Sequence, residues 1–255
     1  MLPRVLAHRG FVPPDADGII ENSFAAIAAA HAAGAAYVES DCHLTADGEA
    51  VLFHDNDLRR VVGDPRLIAD VRLIELENLM SRSGGLITLT QALTSFPTLR
   101  FNLDVKAAGA EEAVGRAVAP HAVRVLLTSF SDRRRRAALA ASVAAGGSPA
   151  TSAGIRTVVK VVAAVRAHSD ALAARALRGV DALQVPERQG RLRVVTRRLI
   201  DAAHRHGVEV HVWTVNDPAD MTRLLDLGVD GLVTDRADVA LSTVARRVAR
   251  DNPNT

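Results

Sequence analysis

The stretch "AYVESDCHLTADGEAVLFHD" (Ala36 to Asp55) holds two short apolar runs, each closing on acidic or imidazole side chains. Side chains alternate along a strand, so Glu39 and Asp41 leave one face of "AYVESD" while Ser40 leaves the other. His43 shares their parity and faces a substrate if the strand continues that far. "TADG" (Thr45 to Gly48) is turn chemistry, and "AVLFHD" (Ala50 to Asp55) then runs apolar into His54 and Asp55. A histidine ending a strand carries chemistry when other strands deliver reactive groups to the same place.

The rhythm of this stretch repeats outward in both directions. "RVLAHR" (Arg4 to Arg9), "RFNLDVK" (Arg100 to Lys106), "VRVLLTS" (Val123 to Ser129), "DALQVP" (Asp181 to Pro186), "VEVHVWTV" (Val208 to Val215) and "DGLVTD" (Asp230 to Asp235) read as strands. "SPATSAG" (Ser148 to Gly154) is a weaker one. Ala-rich stretches of helical period lie between them. "ENSFAAIAAAHAAG" opens with Asn22 as N-cap and stops at Gly34, and "DPADMTRLLDLGVDG" puts Pro218 in a first turn and Gly228 past the last apolar residue. "SDRRRR" (Ser131 to Arg136) begins another helix, with its four arginines expected on a solvated face.

About eight βα units in a chain of 255 residues predict a TIM (β/α)8 barrel, with a doubly wound open sheet as the structural alternative. Asn56 to Thr88 breaks the rhythm and is expected to form a small inserted segment after the third site strand. The rest reads as one domain over residues 1–250, followed by a frayed tail at 251–255.

Composition narrows the function. With 31 basic against 29 acidic residues the net charge is +2, and aromatics make up 3% of the chain. Neither a basic field nor stacking platforms are present, so nucleic acid is not an expected partner. No apolar run reaches spanning length and the first residues lack the h-region of a signal peptide, which predicts a cytoplasmic protein without a transmembrane segment. Cys42, the sole cysteine, has no internal disulfide partner and reads as a small core residue.

Reactive side chains gather at the strand ends: His8 and Arg9, Glu39 and Asp41, His54, and Asp104 and Lys106. Two neighbouring carboxylates repel unless a cation lies between them. Asp104, from another strand, supplies a third oxygen donor, and three carboxylates without a thiolate favour one hard divalent cation, Mg²⁺ or Ca²⁺. Two histidines divide proton transfer between a nucleophile and a leaving oxygen. Arg9 and Lys106 supply positive charge for an anionic group. Together these residues read as metal-assisted cleavage of a phosphate ester.

"LAHRG" followed by "ENSFAAIAAAHAAGAAYVESDCHLTADGEAVLFHD" closely resembles the glycerophosphodiester phosphodiesterase family, and the resemblance continues through "NLDVK", "LLTSF", "VWTVND" and "GVDGLVTDRAD". The resemblance implies a TIM barrel and hydrolysis of a small glycerophosphodiester to sn-glycerol 3-phosphate and an alcohol with a divalent ion. It implies His8 and His54 as the general acid/base pair, Glu39 and Asp41 on the metal, Arg9 and Lys106 on the phosphate, and Trp213 beside the glycerol. In the family's mechanism the glycerol 2-hydroxyl attacks phosphorus, and water opens the resulting cyclic phosphate. The family usually has Glu at the position of Asp104, the third metal ligand, and commonly proline before the Glu of "ENS".

Three other functions compete. A lysophospholipase D keeps the same core and cuts a lysophospholipid headgroup. A Schiff-base lyase uses Lys106 or Lys160. A non-catalytic barrel binds without turnover.

Overall fold

The computed structural model describes residues 2–251. Eleven strands form: β1 (Arg4–His8), β2 (Tyr37–Leu44), β3 (Ala50–Leu52), β4 (Arg100–Val105), β5 (Val125–Thr128), β6 (Ala150–Thr151), β7 (Ala182–Pro186), β8 (Arg188–Gln189), β9 (Leu192–Arg193), β10 (Glu209–Trp213) and β11 (Gly231–Thr234). The helices are α1 (Phe24–Ala32), α2 (Arg59–Val62), α3 (Leu73–Met80), α4 (Leu89–Ser95), α5 (Glu111–Val118), α6 (Asp132–Ala144), α7 (Ile155–Arg166), α8 (Asp170–Leu177), α9 (Arg197–His204), α10 (Pro218–Leu227) and α11 (Ala237–Asp251). Of the expected tail, Asp251 closes α11 and residues 252–255 lie outside the described residues.

Eight strands pair in parallel in the order β6-β5-β4-β2-β1-β11-β10-β7, and a single bridge between Ser152 and Ala182 joins the two ends. The expected TIM barrel is therefore present, and its strands are counted differently from the sequence reading. "AVLFHD" is not a barrel strand: β3 pairs antiparallel with the far end of β2, Cys42 opposite Leu52 and Leu44 opposite Ala50. Asp47-Gly48 makes the hairpin turn between them, with Gly48 at φ +86°. The eighth barrel strand is instead β6, two residues long within the weaker "SPATSAG".

Alternation along the strands separates two environments. Outward residues of β1, β2, β4 and β5, among them Ala7, Val38, Cys42, Leu103 and Leu127, pack with the surrounding helices in one apolar cluster. A second cluster takes Val5 and the outward residues of β7, β10 and β11. Inward positions are partly polar: Arg4 reaches Glu209 past the intervening β11, so both lie inside the ring. Higher up, Gly231 leaves room for the buried ring of His211; a Cβ at 231 would stand 2.8 Å from His211 Cδ2.

Residues 56–88 form α2, a short 3-10 turn (Ile68–Asp70) and α3 over their own apolar cluster of Phe53, Leu58, Ile68, Val71, Leu76 and Met80. Two local expectations are corrected. Ser23, not Asn22, caps α1, its hydroxyl accepting from Ala26 N at 3.1 Å; the Asn22 side chain is committed to β2. In α6 the four arginines do not share a solvated face, because Arg135 is buried and donates to Thr151 Oγ1 at 3.2 Å. The expected signals of α10 hold: Pro218 opens it and Gly228 closes it in the left-handed region at φ +100°.

Candidate active site

Three carboxylates enter the ring from two neighbouring strands. Register sets Asp41 beside Asp104 and Glu39 beside Asn102, while His8 of β1 lies beside Glu39 on its other side. Glu39, Asp41 and Asp104 are all buried. Burial first, and then the fields of Asp41 and Asp104, hold the Glu39 carboxyl well above the usual range. Burial and Asp41 likewise push Asp104 up to about 7, against the opposing pull of Lys106 and Arg134. Mutual repulsion in a desolvated space is the physical cause of both shifts.

Cations answer only part of this charge. Lys106 Nζ stands 3.1 Å from Asp41 Oδ1, and Asn22 Nδ2 donates to Asp41 Oδ2 at 3.2 Å. The Arg9 backbone amide donates to Glu39 O at 2.8 Å and to Glu39 Oε2 at 3.2 Å. Its guanidinium donates to Glu21 Oε1 at 2.8 Å, while Nε lies 3.3 Å from Asp41 Oδ2 without a hydrogen bond. Three buried polar atoms thus have no hydrogen-bond partner here, the donor Arg9 Nε and the acceptors Asn102 Oδ1 and Asp104 Oδ1. Buried polar atoms without hydrogen bonds at one mouth of the barrel mark a place for groups from outside the chain.

The loop after β1 is shaped to present Arg9. Arg9 and Asn22 both sit at φ 57°, and Asn22 N donates to Arg9 O at 2.8 Å. Gly10 follows at φ +86°, where a Cβ would stand 2.7 Å from the Ala26 carbonyl carbon. Only glycine lets the loop lie against α1 this closely.

Both histidines are held in the same way. His8 Nδ1 lies 2.6 Å from Asp235 Oδ1, and His54 Nδ1 lies 2.6 Å from Asp55 Oδ1. Neutral imidazole then donates from Nδ1 and keeps Nε2 for proton exchange. His8 Nε2 stands 3.9 Å from Glu39 Oε2. The His8 hydrogen bond holds the Asp235 carboxyl below its usual range. Burial acts upward on Asp55, but hydrogen bonds from Arg60 and His54 hold it low. Arg60 also donates to Glu21, joining the insertion to the Arg9 loop.

His54 arrives from the β2–β3 hairpin rather than from a fourth barrel strand. The strand continuation expected for His43 occurs, and its Nε2 lies 3.2 Å from His54 O, against the backbone of the second histidine. Burial lowers the His43 pKa, favouring the neutral ring. Trp213 ends β10 and meets Phe130 edge-on at 5.8 Å. Sequence reading missed Asn22 as a partner of Asp41 and Asp235 as the anchor of His8. Asp235 closed a quoted strand, so the strand-end rule already pointed to it.

Glu39, Asp41 and Asp104 have the donor chemistry of a hard divalent ion, and the unpartnered Asp104 Oδ1 fits one. Among the described residues no three His, Cys, Asp or Glu side chains are arranged to hold a metal ion as they stand. Asp41 instead lies against Lys106 and Asn22.

Known proteins share this architecture and sequence. A "Probable glycerophosphodiester phosphodiesterase 2" of Mycobacterium tuberculosis is 36% identical over 247 residues, covering 95% of this chain and 90% of that protein. A glycerophosphodiester phosphodiesterase structure from Thermotoga maritima superposes with a TM-score of 0.71 at 24% identity, covering 95% of this chain and 98% of that one. An Oleispira antarctica phosphodiesterase, solved in complex with the product sn-glycerol 3-phosphate, gives a TM-score of 0.71 at 23% identity, over 96% and 97% of the two chains. Residues 8–239, from the first site histidine to the start of the last helix, match the Glycerophosphoryl diester phosphodiesterase family, and the chain belongs to it.

Proposed function

We propose that this protein hydrolyses glycerophosphodiesters to sn-glycerol 3-phosphate and an alcohol, with His8 and His54 as the general acid/base pair. The observation that carries the assignment is the matched anchoring of the two imidazoles, each through Nδ1 to a carboxylate at 2.6 Å. Each ring keeps Nε2 for the reacting oxygens. One accepts the proton of the attacking glycerol 2-hydroxyl as its oxygen bonds to phosphorus. The other protonates the alcohol oxygen as its bond to phosphorus breaks, and the roles reverse when water opens the cyclic phosphate.

Glu39, Asp41 and Asp104 would hold one divalent cation, Mg²⁺ or Ca²⁺. When bound it neutralises charge on the phosphate and relieves the repulsion among the three carboxylates. Arg9 Nε, buried and without a hydrogen bond, and the Lys106 ammonium face the phosphate oxygens. His43 holds the His54 backbone, and Trp213 lines the mouth beside the glycerol.

The Schiff-base reading has less support. Lys106 is paired with Asp41, and Lys160 is exposed on α7. The decisive assay is release of glycerol 3-phosphate from glycerophosphocholine and glycerophosphoethanolamine with EDTA, Mg²⁺ or Ca²⁺, for wild type and His54→Ala. Metal-dependent release that disappears in the variant is expected. Release unaffected by EDTA would remove the cation, and full activity of a folded His54→Ala would remove that histidine from the mechanism.

A further inference from the structure

Charge is unevenly spread along the chain. Residues 155–198 carry ten Lys and Arg against three Asp and Glu, a local net charge of +7 in a protein whose total is +2. Those three acids are already engaged. Asp170 pairs with Arg205, Glu187 with Arg223, and Asp181 accepts from the Thr151 amide. Asp201, just past the segment, pairs with Arg197, which still leaves most of the excess positive charge without an ion-pair partner among the described residues.

Part of that excess surrounds a groove of about 340 Å³ between the end of α7, the β8–β9 hairpin and the start of α9. Four arginines line it: Arg166, Arg191, Arg193 and Arg198. All four are exposed. The guanidiniums of Arg166, Arg191 and Arg193 have no ion-pair or hydrogen-bond partner among the described residues. Arg198 donates to a ring nitrogen of His168 at 2.9 Å, which leaves its charge uncancelled. Between the arginines the lining is aliphatic, from Val162, Val165, Leu192 and Leu199. None of these residues belongs to the candidate active site.

Like charges gathered around an apolar floor repel one another, and an anion resolves that repulsion. A bare inorganic anion would satisfy the arginines and leave the floor wet, whereas an uncharged lipid would do the reverse. The combination matches a ligand with a phosphate-type head and a hydrocarbon chain. Its volume is at the small end of ligand sites and suits a head with the first carbons of one chain. We propose that the Arg166/Arg191/Arg193/Arg198 groove is a binding site for an anionic amphiphile, separate from the catalytic centre. It uses no step of the proposed reaction, and its test needs no turnover.

The probe is decyl phosphate below its micelle concentration, measured by calorimetry beside inorganic phosphate and decanol. Decyl phosphate is expected to bind at least about tenfold more tightly than either. Arg191→Gln/Arg193→Gln should weaken it about tenfold with no change in thermal midpoint, since both side chains are exposed and unpaired. Arg175→Gln/Arg178→Gln removes the same charge outside the groove and should change affinity less than about twofold. Equal loss in both double variants would replace the site with a diffuse field and overturn the proposal, as would inorganic phosphate binding as tightly as decyl phosphate. Flotation with phosphatidylcholine vesicles, with and without phosphatidylglycerol, then separates the sources. Capture by the anionic vesicles that is lost in Arg191→Gln/Arg193→Gln assigns the site to a membrane lipid, and absence of capture assigns it to a free amphiphile.

Discussion

The two mouths of the barrel treat their inward-facing carboxylates in opposite ways. At the N-terminal mouth Glu209 accepts from Arg4 Nε at 2.7 Å and lies 2.9 Å from His211 Nε2, while Arg4 also bonds the Tyr37 hydroxyl. The His211 hydrogen bond, with Arg4, holds Glu209 down at about 2. At the C-terminal mouth Glu39 and Asp104 are pushed upward by burial and by the charge of Asp41, with Asp104 Oδ1 without a hydrogen bond. Glu209 is half-buried whereas Glu39 and Asp104 are buried, so the contrast comes both from enclosure and from what each carboxylate faces. One mouth is internally neutralised and the other awaits charge from outside, which is how a barrel divides stability from function.

Four experiments test that division. The largest effect is expected from His54→Ala, a loss of about 10²- to 10⁴-fold in turnover with the thermal midpoint almost unchanged, read by glycerol 3-phosphate release and calorimetry. Glu39→Gln should separate the two properties most clearly. It removes one of three mutually repelling carboxylates, so the metal-free protein should gain about 1–2 kcal/mol while losing most of its turnover. A fall in the thermal midpoint would show that the upper mouth is not strained by charge.

Glu209→Gln is the mirror experiment. It leaves Arg4 and His211 without their shared anion and should cost about 1–2 kcal/mol, lowering the midpoint by a few degrees with kcat unchanged. A large loss of activity would mean that the two mouths are coupled. The smallest effect is in acid. Because the folded pKa of Glu209 is below its ordinary 4.5, its stabilisation is complete above that value and disappears as pH falls toward about 2. The midpoint difference between wild type and Glu209→Gln should therefore close across that window, and a constant difference would assign the effect to packing.

Much of this contrast was legible in the sequence because alternation and strand ends are local signals. Parity put Glu39, Asp41 and His43 on one face, and the structure keeps that spacing. Pairing direction was not legible. A three-residue apolar run reads alike in a parallel barrel and in an antiparallel hairpin, so β3 was counted in the ring while the two-residue β6 had too little pattern to claim its place. The helix cap moved by one residue because Asn22 and Ser23 are both good caps, and only the fold shows that Asn22 Oδ1 takes the Ser40 hydroxyl. Buried Arg135 likewise needed its tertiary partners to be known, since four arginines in a row have no sequence mark of which one turns inward.

The ring is closed by joints of unequal strength. β1 and β11 share four registered pairs, whereas β6 and β7 meet at the Ser152–Ala182 bridge, supported by Asp181 bonding the Thr151 amide. The two apolar clusters divide along the same lines, one mainly over β1 to β5 and the other over β7 to β11. Thermal breathing should therefore part the barrel first between β6 and β7, with fast amide exchange at Ala153, while β1, β2 and β4 stay shut. The strands that hold the reactive carboxylates sit opposite the seam, in the half that loosens last.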